Sequence, residues 1–274
     1  MLGHAVLRFM GASPTISVWG SLRSPAALEF LPAELHKQLV TDIDVEKLES
    51  LERLFALARP DVVINCIGVV KQLSLADDPL VAIPINALLP HQLARLCETA
   101  AARMIHISTD CVFSGTRGMY REDEPPDATS LYGRSKYLGE VDYPHAVTLR
   151  TSMIGHELGN PHGLVGWFLA ERGRVNGFTR AIFSGLPTVE LSRVVRDFVL
   201  PRPELSGVYH VSADPISKYD LLRLVAHIYG KSTEIVPDES VVIDRSLDSS
   251  RFGALTGYVP PSWPDLVRSM RNFS

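Results

Sequence analysis

The chain has 274 residues, 46% of them hydrophobic, and a formal net charge of -4 at pH 7. This length fits one large α/β domain or two smaller ones, with enough apolar residues for a packed core. The charge offers no basic face to a nucleic acid polymer, and no uninterrupted apolar run reaches the roughly 18 residues of a membrane span. Three cysteines without metal-ligand spacing predict a cytoplasmic protein without a metal site.

The first half of the sequence alternates strand-like and helical stretches. Helices are predicted over residues 1–10, 44–60, 86–101 and 133–144. Strands are predicted over residues 15–20, 61–68, from 103 onward, and 146–155. The continuous apolar run 61–68 is typical of a strand that is covered on both faces. The alternation predicts βαβ units in an α/β fold with a doubly wound parallel, Rossmann-like sheet.

The rhythm changes after residue 155, where turn residues become frequent. One short strand followed by a helix is predicted within residues 206–230, and a final helix follows three prolines near the end. We expect residues 1–155 to form the sheet domain. Residues 156–274 should form a smaller, irregular α/β substrate region, with some segments returning to the sheet. Such a region would cover the carboxyl ends of the strands, where open α/β sheets bind ligands.

The first ten residues, MLGHAVLRFM, form a predicted amphipathic helix with a glycine, Gly3, in its first turn. A dinucleotide-binding sheet normally begins with a strand, then a glycine-rich turn, then such a helix. Gly3 is therefore interpreted as the last glycine of a G-x-x-G-x-x-G loop. The alternative, an ordinary glycine near a terminus, has about equal weight on this evidence alone.

The most informative stretch holds STDCVFSG followed by LYGRSKYLGE. Tyr132 and Lys136 are four residues apart on a predicted helix, so their side chains share one face. A nearby ammonium favours the phenolate, which predicts a tyrosine pKa below about 10. Thr109 ends a predicted buried strand, where its hydroxyl reaches the carboxyl edge of the sheet. The three residues form a candidate acid–base set, although an isolated Y-x-x-x-K pair is usually a solvated helix face.

Together these motifs make the chain resemble the extended short-chain dehydrogenases/reductases, most closely the dTDP-4-dehydrorhamnose reductase family. STDCVFSG matches the family pattern S-T-D-x-V-F-x-G, and LYGRSKYLGE matches Y-G-x-[ST]-K-x-x-G-E. INCIG, PINALLP, SGLPTVELSRVV and SGVYHVSADPISKYDLL stand where the family has its other characteristic segments. The resemblance covers nearly the whole chain.

The resemblance implies a catalytic set of Thr109, Tyr132 and Lys136. Tyr132 would protonate the C4 oxygen of the sugar, and Lys136 would hold the nicotinamide ribose. Arg23 would meet the 2′-phosphate of NADPH, with a solvated loop arginine as the alternative. NADPH, with NADH possible, would be bound by Gly3, Arg23, Asp42, Ile43, Cys66, Ile67, Gly68, Tyr132 and Lys136.

The resemblance also implies a central strand and early glycines before the first helix. In the family's sheet that strand lies in the middle. We therefore expect the start of the protein to lie upstream of Met1, and the chain as given to bind NADP(H) poorly.

Two positions depart from the family pattern near the expected sugar site. Cys111 stands where relatives usually have tyrosine, and Met153 stands where they usually have tryptophan. These changes make an N-acetylated UDP-4-keto sugar an alternative substrate, while plain core packing would also explain both residues. Lys71, which follows a predicted strand, is a further candidate for substrate contact.

The leading functional hypothesis is NADPH-dependent reduction of a nucleotide-linked 4-keto-6-deoxy sugar in surface-polysaccharide synthesis. The alternatives are a non-catalytic NADP- or nucleotide-sugar-binding regulatory subunit and an epimerase or reductase acting on a UDP-sugar. A homodimer is possible. Five histidines lack metal-ligand spacing: His106, His145, His156, His162 and His210.

Overall fold

The computed structural model of the protein describes residues 1–70, 74–159 and 162–273. The helices and strands of the first half are α1 (Leu2–Gly11), β1 (Gly20–Ser21), β2 (Leu39–Val40), α2 (Leu48–Ala58), β3 (Val62–Asn65), α3 (Pro79–Ala82), α4 (Leu89–Thr99), β4 (Arg103–Thr109), α5 (Leu131–Leu138) and β5 (Ala146–Thr151). A π-helical segment, Ile83–Leu88, joins α3 to α4.

The second half consists of shorter elements. They are β6 (Met153–Ile154), α6 (Leu164–Ala170), β7 (Arg174–Phe178), β8 (Ala181–Phe183), β9 (Leu186–Pro187), α7 (Thr188–Val194), β10 (Gly207–His210), β11 (Ile216–Ser217), α8 (Lys218–Tyr229), β12 (Glu234–Asp238), β13 (Ile243–Asp244), α9 (Ser250–Thr256) and α10 (Trp263–Asn272).

The main sheet has the strand order β10-β5-β4-β3, and all of its neighbouring strands are parallel. β1 and β2 form a separate parallel pair. One core cluster joins α1 and α7 to one face of the main sheet, and another joins α2 and α4 to the opposite face. β4 is buried along nearly its whole length, as expected for a strand with both faces covered. The predicted α/β fold with a doubly wound parallel sheet is confirmed.

The second half returns to the sheet through β10, which pairs with β5. Its other strands form small separate pairings: β7 with β12, β6 with β9, and β8 between β11 and β13. A second core cluster, centred on α6 and α8, packs beneath them. Sequence periodicity predicts only β10, α8 and α10 in this half, because strands of two or three residues are too short to show a repeat.

Several element boundaries differ from the prediction for local reasons. Residues 15–20 are almost entirely loop, because only Gly20 and Ser21 pair with β2. The helix expected from residue 44 begins at Leu48, since the Asp44 carboxylate and carbonyl accept the backbone N–H groups of Glu46 and Lys47 in a preceding turn.

The helix before β4 is longer than expected, because Pro79–Thr99 forms one continuous helical run. By length and composition this run could cross a membrane, at a mean hydropathy of 1.2. Leu89, Leu93 and Ala94 on this run pack into the core beneath the sheet. Buried core helices of soluble proteins share such a composition, so the run is weak evidence for a membrane span.

Candidate active site

The carboxyl edge of the sheet places Thr109 at the end of β4 and beside Thr151 at the end of β5. A short 3-10 turn, Asp110–Val112, follows directly. The Thr109 hydroxyl accepts the backbone N–H of Cys111 at 3.1 Å and donates to Asp110 Oδ1 at 3.1 Å. These contacts fix the hydroxyl at the sheet edge, where the sequence predicts it.

Helix α5 lies close to this turn and to the helical segment Ile83–Leu88, because one glycine at each contact leaves room for the neighbouring backbone. Ser130 caps the helix by accepting the backbone N–H of Gly133 at 3.2 Å. A Cβ on Gly133 would collide with the Cys111 carbonyl oxygen, and one on Gly139 would collide with the Asn86 carbonyl. The Y-G glycine is therefore needed to bring α5 to the end of β4, and the G-E glycine is needed to pack the end of α5 against the segment Ile83–Leu88.

The Tyr132 phenol is half-buried and shares a hydrogen bond with Thr109. Burial raises the pKa of this phenol above its usual value, and the nearby Cys111 and Asp110 act in the same direction. The expectation of a lowered tyrosine pKa is therefore wrong for this arrangement. Tyr132 and Lys136 lie on one helix as the spacing predicts, but Lys136 is not among the groups that set the pKa of the phenol, and burial dominates it.

Lys136 is buried, with 5% of its surface exposed. Its Nζ donates to the Ile107 carbonyl at 2.9 Å and lies 3.5 Å from His106 Nε2. Burial lowers the pKa of Lys136 to about 8, although Glu140 and Cys66 oppose the shift. An amine with this pKa exchanges its proton much closer to neutral pH than an ordinary lysine.

Two buried polar residues below Lys136 were not identified from the sequence. His106, on β4, is completely buried, and its Nδ1 lies 3.1 Å from Asn65 Nδ2 at the end of β3. Burial and the Lys136 charge hold the pKa of His106 well below its usual range. The sequence does contain a sign of this role, because His106 interrupts the otherwise apolar run MIHIS of a buried strand. Spacing between metal ligands does not reveal such a position.

A buried ion pair secures the end of α5 to the sheet. Arg150 donates to both carboxylate oxygens of Glu140, at 2.8 and 2.7 Å, and Ser108 donates to Glu140 at 2.7 Å. Arg150 Nη1 also lies 3.2 Å from His210 Nε2, while His210 Nδ1 lies 3.0 Å from the Tyr120 carbonyl oxygen. Glu140 belongs to the G-E motif, but no sequence pattern indicates its partners, which lie on β4 and β5.

The residues expected to meet the coenzyme phosphates lie together at the start of α1 and the end of β3. A Cβ on Gly3 would lie 3.7 Å from Cys66 Cβ, which places the first turn of α1 beside the loop Cys66, Ile67 and Gly68. Within the described part of the chain, no side chain caps α1 and no acidic residue lies in its first turn. Backbone N–H groups at such a helix start favour phosphate, so this place fits a dinucleotide pyrophosphate.

The expected adenosine-side residues also come together, after β1 and β2. The Ile43 N–H donates to the Leu22 carbonyl at 3.1 Å, which brings residues 42 and 43 next to Arg23. Arg23 is exposed; the pKa of the neighbouring Asp44 is lowered mainly by the Glu46 N–H and by Lys47, and the Arg23 charge adds a smaller effect in the same direction. Asp42 has a left-handed backbone, with φ of 59°, and its carboxylate accepts the Thr41 hydroxyl at 2.9 Å. An exposed guanidinium here is accessible to a phosphate.

The substrate-side candidates lie in three different situations. Cys111 is buried beside Tyr132. Met153 begins β6, two residues beyond the end of β5, and packs against the main core. Lys71 lies outside the described residues. Across residues 1–70, 74–159 and 162–273, no group of three or more His, Cys, Asp or Glu side chains is arranged to hold a metal ion.

Comparison with known proteins gives several matches. The sequence model of the RmlD substrate binding domain matches residues 25–255. Agl14, a probable low-salt glycan biosynthesis reductase of Haloferax volcanii, is 29% identical over 221 residues, covering 76% of this chain and 73% of that protein. A dTDP-4-dehydrorhamnose reductase of Mycobacterium tuberculosis is 37% identical over 120 residues, but that match spans only 39% of its length and 40% of this chain.

The fold also matches a solved structure. The crystal structure of dTDP-4-dehydrorhamnose reductase from Bacillus anthracis, in complex with NADP, superposes with a TM-score of 0.75. The superposition covers 93% of this chain and 99% of that chain at 21% sequence identity. At this identity the similarity shows a shared fold.

Proposed function

Because the chain belongs to the RmlD substrate binding domain family, an enzyme family of sugar-nucleotide reductases, we propose that it reduces a nucleotide-linked 4-keto-6-deoxy sugar with NADPH. The observation that carries this proposal is the hydrogen bond between Thr109, at the carboxyl end of β4, and the Tyr132 phenol, with Lys136 one turn further along the same helix. A ketone bound there would face a hydroxyl, a phenol and an amine. That set suits proton transfer to a carbonyl oxygen.

Tyr132 acts as the proton donor in this proposal. Because burial raises its pKa, the phenol keeps its proton at neutral pH and is available as an acid. Thr109, whose hydroxyl contacts the phenol and donates to Asp110, would turn its O–H to the same substrate oxygen once a substrate binds. NADPH supplies the hydride when it is bound. Lys136, whose pKa of about 8 leaves the amine mostly protonated at pH 7, holds the nicotinamide ribose and passes a proton to the Tyr132 phenolate after the substrate has been protonated.

The coenzyme site extends from Gly3, Cys66, Ile67 and Gly68 to Arg23, with Asp42 and Ile43 on the adenine side. Support comes from the uncapped start of α1 and from the exposed Arg23 guanidinium. NADPH is preferred over NADH because the 2′-phosphate pairs with Arg23. Replacing Arg23 with alanine should raise KM for NADPH and leave KM for NADH nearly unchanged; equal changes for both coenzymes would contradict this assignment.

In this proposal residues 1–155 bind the coenzyme, and residues 156–274 mainly bind the sugar nucleotide. Cys111 and Met153, with Lys71, would contact the sugar. Because the first two replace aromatic residues, a UDP-linked N-acetylated 4-keto sugar is the second candidate substrate. The enzyme would act in the cytoplasm on precursors for a surface polysaccharide.

A homodimer is also proposed, through helices of the first half. Leu80, Ile83 and Leu88 on the long helical run are exposed, as are Tyr137 and Leu138 on the adjacent α5. A second copy presents the same apolar helices and can therefore cover them in a two-fold arrangement. Light scattering should give twice the chain mass, and L138E should reduce it to the mass of one chain.

The function is tested by following NADPH absorbance with a panel of dTDP- and UDP-linked 4-keto sugars. Tyr132→Phe should remove most turnover while NADPH affinity stays nearly unchanged, because only the proton donor is lost. Tyr137→Phe is the matched control, since this tyrosine lies on the same helix with 45% of its surface exposed. If Tyr132→Phe retained near-normal turnover, Tyr132 would not be the donor.

The same panel separates the alternatives. Absence of turnover with every sugar, together with a stably bound partner protein, would favour a regulatory subunit. Interconversion of sugars with a tightly retained, reducible coenzyme would indicate an epimerase.

A further inference from the structure

The orientation of the buried Asn65 side chain is fixed by the backbone next to it. The Ile67 N–H donates to Asn65 Oδ1 at 3.0 Å, so this oxygen is the acceptor end of the amide. The NH₂ end, Nδ2, therefore points at His106 Nδ1, 3.1 Å away. β3 and β4 pair Asn65 directly with His106 across the sheet, which holds the two side chains together.

This contact determines which nitrogen of His106 carries the proton. An amide NH₂ only donates, so Nδ1 of the imidazole must accept. Burial keeps His106 neutral, and a neutral imidazole has one N–H donor and one acceptor. The proton is therefore on Nε2, the nitrogen that faces Lys136 Nζ at 3.5 Å.

An ammonium at Nζ would place two donors face to face. A neutral amine, in contrast, offers a lone pair to the Nε2–H while donating to the Ile107 carbonyl. The other titratable groups near the pair are Glu140 and Cys66, which favour the charged amine, and His91, whose charge would disfavour a charged His106.

We propose that His106 is a positioning residue for Lys136, because its Nε2–H, oriented by Asn65, favours the neutral amine over the ammonium. The consequence for catalysis rests on the proposed reductase function. With its pKa near 8, Lys136 still carries its proton at pH 7 and can pass it to the Tyr132 phenolate after the phenol has protonated the substrate; the amine then takes up a proton from solvent. Burial by itself lowers the pKa of Lys136 to about 8, and the Nε2–H of His106 acts in the same direction.

The first test measures the tautomer directly in the wild-type chain by ¹⁵N NMR of histidine-labelled protein. His106 should carry its proton on Nε2. His210 is an internal control with the opposite assignment, since Arg150 donates to its Nε2 and leaves the proton on Nδ1. A His106 proton on Nδ1 would overturn the proposal, whatever the enzyme's activity.

The second test reverses the donor. In Asn65→Asp, the carboxylate still accepts the Ile67 N–H but now also accepts from His106 Nδ1. The proton then moves to Nδ1, and Nε2 becomes an acceptor for the Lys136 ammonium. NMR of the six lysines should show the Lys136 pKa rising by about 1–3 units. Lys231, which donates to the Leu169 and Glu171 carbonyls, should titrate as in wild type.

A second variant removes the added charge of aspartate from the comparison. His106→Gln places an amide near Nε2 that can turn its oxygen to Lys136, so the Lys136 pKa should again rise. The alkaline limb of the kcat–pH profile should shift upward with it in both variants. An unchanged Lys136 titration in both folded variants would overturn the proposal. The NMR measurements need neither coenzyme nor sugar, so a failure of the reductase assignment remains distinguishable.

Discussion

Replacing Arg150 with methionine should destabilise the protein far more than removing a surface arginine. Arg150 and Glu140 have side chains that are each only 4% exposed, and they share a two-pronged contact with N–O distances of 2.8 and 2.7 Å. Methionine keeps much of the volume but removes the charge. Glu140 would then be buried with Ser108 as its remaining hydrogen-bond donor in this network. Breaking a buried pair in this way costs about 3–5 kcal/mol.

The free energy of unfolding can be measured by urea denaturation at pH 7. Arg268→Met is the matched control, because Arg268 and Asp265 form an ion pair whose side chains are 57% and 58% exposed. Exposed pairs of this kind contribute about 0–1 kcal/mol. The double variant Arg150→Met/Glu140→Leu should recover part of the loss, because it leaves no carboxylate buried without a countercharge.

Two results would refute this reasoning. One is a loss for Arg150→Met that is no larger than for Arg268→Met. The other is additivity: the double variant would be less stable than Arg150→Met by the cost of replacing Glu140 as an independent site. Either result would mean that the carboxylate is solvated in the single variant or protonated at little cost.

Three further predictions follow from the structure. Gly139→Ala should destabilise the protein by about 1–3 kcal/mol, because the new Cβ collides with the Asn86 carbonyl; Gly3→Ala, with 3.7 Å of clearance, is the control in the same denaturation experiment. Lys136→Met should be more stable than wild type at pH 7 by up to about 3 kcal/mol, since burial lowers the pKa of Lys136 from 10.5 to about 8. Between pH 8 and 10.5 the lysine is protonated in the unfolded chain but not in the folded one, so the free energy of unfolding of the wild type should rise with pH. The stability difference between Lys136→Met and wild type should therefore narrow over this range, and a constant difference would contradict the assignment. Iodoacetamide at pH 8 should label Cys97 only on unfolding, because the thiol is buried and its pKa is raised to about 12. Mass spectrometry measures the labelling, and modification of Cys97 in the folded protein would contradict this prediction.

The sequence predicts those parts of the fold and site that depend on neighbours along the chain. Tyr132 and Lys136 share a helix, and Thr109 ends the strand before it, so helical spacing and strand endings are enough to place them. The parallel orientation of the strands follows in the same way, from the alternation of apolar runs and amphipathic helices. The doubly wound sheet could therefore be predicted before its strands were seen to pair.

Burial of polar groups could not be predicted in this way. Asn65 and His106 are 41 residues apart, and their contact exists only because β3 and β4 lie side by side in one register. Similarly, helical spacing alone could not indicate how far the Tyr132 phenol is desolvated, and burial reverses the expected direction of its pKa shift. The short strands of the second half are determined by long-range pairing, for which the sequence has no local periodicity.

Sheet register connects the stability of this protein to the chemistry of its site. Asn65 is the register partner of His106, Ser108 is the partner of Arg150, and Arg150 is the partner of His210. The polar groups that support α5 and face Lys136 are thus cross-strand neighbours in the four adjacent strands β3, β4, β5 and β10. A slip of one residue would turn each of them to the opposite, apolar face and leave its charge or N–H without a partner. The same register that keeps these buried groups paired therefore also sets the environment of the Lys136 amine in the candidate site.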